Sequence, residues 1–183
     1  MTSVPRVLRV FLSSTASDMT GCREKVRDTI LQLKQLPIGM ETFTALPTVP
    51  ATDCQAEAAR ADVVIVMVAY RYGYVPSVDL GGDGKRSITW LEVLAAKNAG
   101  KPVYALILDP QAEWNQPKES DRLNTEPEEK HAEILAATRG LKEFKEHLQR
   151  HCTFDTFTNE DDLARRVATT LSRSRPRRVA IWR

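Results

Sequence analysis

DVVIVMVA, residues 62–69, settles the class of this chain. After the leading aspartate every residue is apolar, and four are valine. The run has strand length and is too short for an ordinary helix. A strand without a polar face is covered on both faces, the condition of a central strand in a parallel sheet with helices above and below.

The flanks repeat this logic. Downstream, residues 70–86 form an irregular connection holding Gly73, Pro76, Gly81, Gly82 and Gly84. Residues 88–98 have helical character, stopped by Gly100, and 102–108 make another buried-type strand. Upstream, 7–12 read as a strand ending in Ser13-Ser14-Thr15. Met19, Val26, Ile30, Leu33 and Leu36 follow at helical spacing, with Asp18 as the expected cap and Pro37 as the stop. A short second strand is expected over 38–43, then a loop with Pro47 and Pro50, then a helix to Ala61 capped by Thr52 or Asp53. Residues 109–128 are polar, carry three prolines, and read as a mobile surface loop. A long helix over 129–150, broken at Gly140, leads to a fifth strand over 152–157. The last helix spans 159–171, with Thr158 and Asp161 at capping-box spacing.

Five β-α repeats predict an α/β domain: a five-stranded parallel sheet, flavodoxin-like order 2-1-3-4-5, helices on both faces. In that order the ligand crevice lies outside the carboxyl ends of strands one and three. Residues 1–172 form the expected domain and 173–183 a basic linker toward a further C-terminal module. Five arginines lie in that tail; without them 21 basic residues face 24 acidic ones, a body of about −3. Such a body is a poor match for nucleic acid. Cys22, Cys54 and Cys152 are odd in number and unclustered, the pattern of reduced thiols in the cytoplasm. There is no signal core at the start and no apolar run long enough to span a membrane.

Three clusters fall at the crevice. Ser13-Ser14-Thr15 can hold phosphate or ribose oxygens, or serve simply as a turn and cap. Arg71-Tyr72-Gly73-Tyr74 offers a platform for a flat ring and an anion, or a loop pinned by aromatic packing. SITWLE, residues 87–92, places Glu92 three positions after Thr89, again at capping-box spacing. A carboxylate there is expected to stay ionised in the helix dipole. It can then bind a ribose diol or stabilise an oxocarbenium ion, and is a poor general acid. Other chemistries lack their residues. No Gly-x-Gly-x-x-Gly follows strand one, no Gly-x-Ser-x-Gly occurs, and Asp79 stands where a phosphate loop before Gly84-Lys85 needs glycine. His147 and His151, four apart and followed by Cys152, read as a solvated helix end, with no metal site and no cofactor expected.

In order and spacing, VFLSST, Asp18-Met19, Arg23, Pro37-x-Gly39-Met40-Glu41, DVVIVMVAYRYGY, SITWLE and Gly100-Lys101-Pro102-Val103 resemble a TIR-like domain of unknown function. That domain stands at the N-terminus of STAND-type signalling ATPases. The likeness covers about residues 7–109 and departs at Ala16, usually aromatic, and at Cys22, usually glutamate. TIR domains and nucleoside deoxyribosyltransferases cleave N-glycosidic bonds with a glutamate on the helix after strand three. The resemblance therefore implies Glu92 as catalytic residue and NAD or a related nucleotide as substrate. It places Ser13, Ser14, Arg71, Tyr72, Tyr74 and Trp90 around the pocket. It further implies self-association into a homo-oligomer, control by a C-terminal STAND ATPase module, and a role in immune or antiphage signalling. A non-enzymatic self-association scaffold and a nucleotide sensor without turnover remain alternatives.

Overall fold

A computed structural model describes residues 6–40 and 51–174. The elements are β1 (Arg9–Ser14), α1 (Thr20–Gln32), β2 (Leu36–Ile38), α2 (Ala51–Arg60), β3 (Val63–Val68), α3 (Ile88–Asn98), β4 (Val103–Leu108), α4 (His131–His151), β5 (Thr153–Phe157) and α5 (Glu160–Ser174). The strands pair in parallel in the order β2-β1-β3-β4-β5, as the sequence predicts. β3 lies in the centre, and all six of its residues are buried. Val63, Ile65 and Met67 join Val26 and Ile30 of α1 and Leu163 and Val167 of α5 in one core. Val64, Val66 and Val68 join Val93 and Ala96 of α3 and Phe144 and Leu148 of α4 in the other. Two apolar layers, one per face, account for the absence of alternation in this strand.

The boundaries differ from expectation where tertiary contacts override local signals. α1 ends at Gln32, and Lys34 adopts a left-handed φ of 58°, so the chain turns before Pro37. Pro37 lies inside β2, an edge strand where a missing N–H is tolerated. β2 thus precedes the predicted strand, whose last three residues lie outside the described ones. At the start of α5, Asn159 Oδ1 accepts the Asp162 N–H (2.9 Å) and Asp162 Oδ2 accepts the Thr158 N–H (3.1 Å), one residue away from the predicted pair. The stretch 109–128 is not an irregular loop throughout. It contains a 3-10 helix, Glu119–Asn124, and buries Glu119 to 3% exposure.

Gly140 does not break α4, which runs unbroken across it. A Cβ at this position would lie 2.6 Å from Cζ of the Tyr72 ring. Gly140 is the gap that lets the β3 loop pack on α4. Alanine there gains about 1 kcal/mol of helix propensity but overpacks a buried ring, which costs about 1–3 kcal/mol. Gly140→Ala should therefore lower the melting temperature. Gly21 is the contrast: a Cβ there meets only the carboxylate tip of Glu160, a flexible neighbour that can swing away. Gly21→Ala, which gains helix propensity without that clash, should keep or raise the melting temperature. A raised melting temperature for Gly140→Ala would show that the Tyr72 ring gives way.

Candidate functional site

The reversal of strand order between β1 and β3 opens the sheet at the carboxyl ends of these strands. β1 ends there with Ser13, paired to Val66, and Ser14, paired to Met67. Alternation sends Ser13 to the same face as Phe11, toward α3, and Ser14 to the face of α1.

The N-cap of α3 is Ser87, whose Oγ accepts the Trp90 N–H at 3.4 Å. Trp90, not Glu92, is therefore the third helical residue, and the predicted Thr89–Glu92 box does not form. Glu92 is fifth, and its carboxyl group reaches the sheet instead. Ser13 Oγ donates to Glu92 Oε2 at 2.5 Å. Both residues are buried, Glu92 to 7% and Ser13 to 1% exposure. Arg23, on α1 and 4% exposed, donates from Nη1 to Ser14 Oγ at 2.8 Å. Burial pushes the Glu92 carboxyl up to about 7, against the opposing pull of the Ser13 hydrogen bond and the Arg23 charge. The expected fixed ionisation is thus corrected. The fifth residue lies past the first turn, where the dipole acts, and desolvation decides. Cys54 of α2 senses the same carboxyl. Burial, then the charges of Glu92 and Asp53, raises its thiol to about 11, so it is no nucleophile at neutral pH. A carboxyl group near 7 can hold or release a proton at neutral pH, which fits acid–base work as well as charge stabilisation.

The loops after β1, β3 and β4 are laced together beside this group. Thr15 Oγ1 donates to Asp18 Oδ1, and Asp18 Oδ2 accepts the N–H groups of Tyr70 (3.0 Å) and Arg71 (3.1 Å). Asp18 is thus a loop fastener and not the cap of α1, whose N-cap is Met19. Glu119 Oε2 accepts the Tyr72 N–H (2.9 Å) and Arg71 Nε–H (3.2 Å), while Oε1 accepts Arg122 Nη1–H (2.7 Å).

Ser13 bonds Glu92 directly, and Ser14 holds Arg23, whose charge acts on the same carboxyl. The other predicted residues stand apart from it. Arg71 is engaged with Glu119. Trp90 is two residues before Glu92, about 200° around the helix, and stacks on Phe144 of α4 at 5.2 Å. Tyr72 is buried, donating from its hydroxyl to the Lys85 carbonyl at 3.2 Å. Tyr74 is 61% exposed at a cavity of about 560 Å3 that Tyr72, Lys85, Arg122 and Ala136 also line. Arg23, Asp18 and Glu119 are members that site prediction missed. The first two lay within the recognised motifs, and nothing local marked Glu119.

Ser13 supplies a direct test of the Glu92 environment. Its hydroxyl favours the ionised carboxylate, so Ser13→Ala should move the Glu92 titration further above its ordinary range. Carbon-detected NMR of the glutamate side chain over pH reads this. An unchanged or lowered titration would mean that the serine does not tune the carboxyl.

A family described as Domain of unknown function (DUF4062) matches residues 9–172. No curated protein matches the sequence. Among solved structures, a de novo designed Rossmann 2x3 fold protein aligns at a TM-score of 0.47 and 11% identity, covering 93% of this chain and 94% of that one. The CMP N-glycosidase BcmB of Clostridium botulinum aligns at 0.46 and 11%, covering 88% of this chain and 98% of that one. Among the described residues no helix is long and apolar enough to cross a membrane.

Proposed function

We propose that this chain, which belongs to the family Domain of unknown function (DUF4062), cleaves the N-glycosidic bond of a nucleotide, NAD or a relative of it, with Glu92 as the catalytic carboxylate. One observation supports this reading above the rest. A carboxyl group almost closed to solvent, raised to about 7, sits at the strand-order reversal with a serine on it and an arginine behind it.

The chemistry follows from the charge. As the bond from ribose C1′ to the base nitrogen breaks, its electron pair leaves with the base, and positive charge spreads over C1′ and the ring oxygen. The Glu92 carboxylate stabilises that charge, and it does so more strongly where water is scarce. Water then adds to C1′ and loses a proton. The ionised form of Glu92 is the active one, and Ser13 and Arg23 raise its share. The resemblance to TIR-like domains of STAND-type ATPases supports an effector role, switched by self-association and by a C-terminal module.

The depth of Glu92 favours a second reading, a nucleotide sensor without turnover, because a carboxyl so enclosed can fix a ribose without cleaving it. One experiment separates the two. The purified chain at high concentration is incubated with NAD, nicotinamide release is followed, and melting is measured with and without NAD. Release is expected. A thermal shift without release selects the sensor, and neither response rejects NAD as the ligand.

A further inference from the structure

The opposite edge of the sheet carries a second, independent feature. Where β4 and β5 begin, a cavity of about 390 Å3 is lined by Lys97, Lys101, Tyr104, Arg150, His151 and Cys152, among others. None of its lining residues is a carboxylate. Three segments gather the charge. α3 ends near Lys97, the chain entering β4 carries Lys101, and α4 ends with Arg150 and His151. Cations at helix C-termini complement the helix dipole, which accounts for Lys97 and Arg150 one at a time. It does not account for Lys101, which follows the helix stop and makes no ion pair among the described residues. Nor does it explain why no acid faces into the cavity.

Local pairing leaves most of this charge in place. Lys97 Nζ donates to the His151 carbonyl at 2.7 Å, which orients the ammonium without neutralising it. Glu146 meets Arg150 at 2.8 Å, but both side chains are exposed, and such a pair is weak in water. His147, its ring 4.7 Å from that of His151, registers the sum. Burial lowers its pKa, and the charges of His151, Arg86, Lys97 and Arg150 lower it further; all but Arg86 line this cavity. The Cys152 thiol is raised by burial and stays neutral, so it does not oppose an anion.

We infer that this cavity is a binding site for a small polyphosphate anion, separate from the Glu92 crevice. Its volume falls in the range of small-ligand sites, about 300–1,000 Å3. The chain outside the arginine tail carries about −3, so a long nucleic-acid strand would run from this patch onto a repelling surface. A short anion meets only the cations.

The test titrates the full chain with inorganic tripolyphosphate at about 0.15 M ionic strength. Calorimetry measures binding, and NMR follows the imidazole signals of His147 and His151. Saturable binding that moves both histidines is expected. Lys101→Glu with Arg150→Glu should weaken it at least tenfold, and Lys101→Gln alone by a smaller factor, with melting curves confirming that each variant is folded. Glu92→Gln should leave the affinity unchanged, which keeps this site distinct from the crevice. A ribonucleoside triphosphate forms a second arm. Equal affinity makes the phosphate chain the whole ligand, and tighter binding adds the base, seated against Pro102 and Tyr104. No saturable binding at that salt, or full affinity in the double variant, would overturn the assignment.

Discussion

Glu92→Gln is expected to stabilise the protein above neutral pH while lowering nicotinamide release at least a hundredfold. The two effects share one cause. Burial lifts the Glu92 carboxyl to about 7 from its ordinary value of 4.5. Between those values the folded chain keeps a proton that the unfolded chain has lost, so stability falls as pH rises through this window. At about pH 8 the loss is on the order of 3 kcal/mol by linkage. Glutamine is neutral, still offers Ser13 a carbonyl acceptor, and carries no such slope. The melting temperatures of variant and native chain should lie close at about pH 4.5 and separate, in favour of glutamine, toward about pH 8. Turnover goes the other way. Without the carboxylate nothing offsets the positive charge on the ribose, and such a loss costs on the order of 3 kcal/mol or more in the barrier. Glu92→Ala should lose turnover too, but without the gain, because it strands the Ser13 hydroxyl and leaves a void. A glutamine variant with native turnover would remove Glu92 from the chemistry. Melting curves that stay together across the window would instead show that the carboxyl is not held high by burial.

The same residue shows how far sequence reasoning reaches. The position of Glu92 at the strand-order reversal was legible because topology needs no side-chain detail. Residues 62–69 identify the central strand, alternation gives the strand order, and the order places the crevice at the helix that follows. Its protonation was not legible, since it depends on Ser13, 79 positions away, and on burial that no local pattern reports. SITWLE misled in a related way. Thr89 and Glu92 have the spacing of a cap, but Ser87 takes that role, and about half a turn of helix sends Trp90 and Glu92 to opposite sides. Asp18 looked like a cap because it precedes a helical run. Its Oδ2 accepts backbone N–H groups 52 and 53 residues later, while Oδ1 holds Thr15. Glu119 gave no signal at all. In sequence it is one of several glutamates in a polar stretch, and only the return of the β3 loop makes it special.

That return makes Glu119 a polar position on which stability depends strongly. Glu119 is 3% exposed and serves three partners on two loops: the Tyr72 N–H, the Arg71 guanidinium and the Arg122 guanidinium. Burial alone would raise its pKa, but the Tyr72 hydrogen bond and the two guanidinium groups outweigh it and hold the carboxyl below its ordinary range. Alanine at this position leaves Arg71 without this partner, strands a backbone N–H, and leaves Arg122 with Glu126 at 3.5 Å. Breaking one side of a buried ionic cluster costs about 3–5 kcal/mol, far more than losing a surface pair. Glu119→Ala should therefore lower the unfolding free energy obtained from urea titration by that amount. Glu119→Gln, which keeps an acceptor for Tyr72, should cost less. Replacing Arg71 as well should recover part of the loss, because the stranded charge leaves with its partner. The pH dependence has the opposite sign to that of Glu92. A carboxyl held low stabilises the fold above its ordinary pKa, and the contribution is lost as pH falls through the lowered value. The native chain should lose that increment in acid, and the alanine variant has none to lose. A cost below about 1 kcal/mol for Glu119→Ala would mean that the loops are held by their backbone and aromatic contacts, with the carboxylate no more than a surface partner.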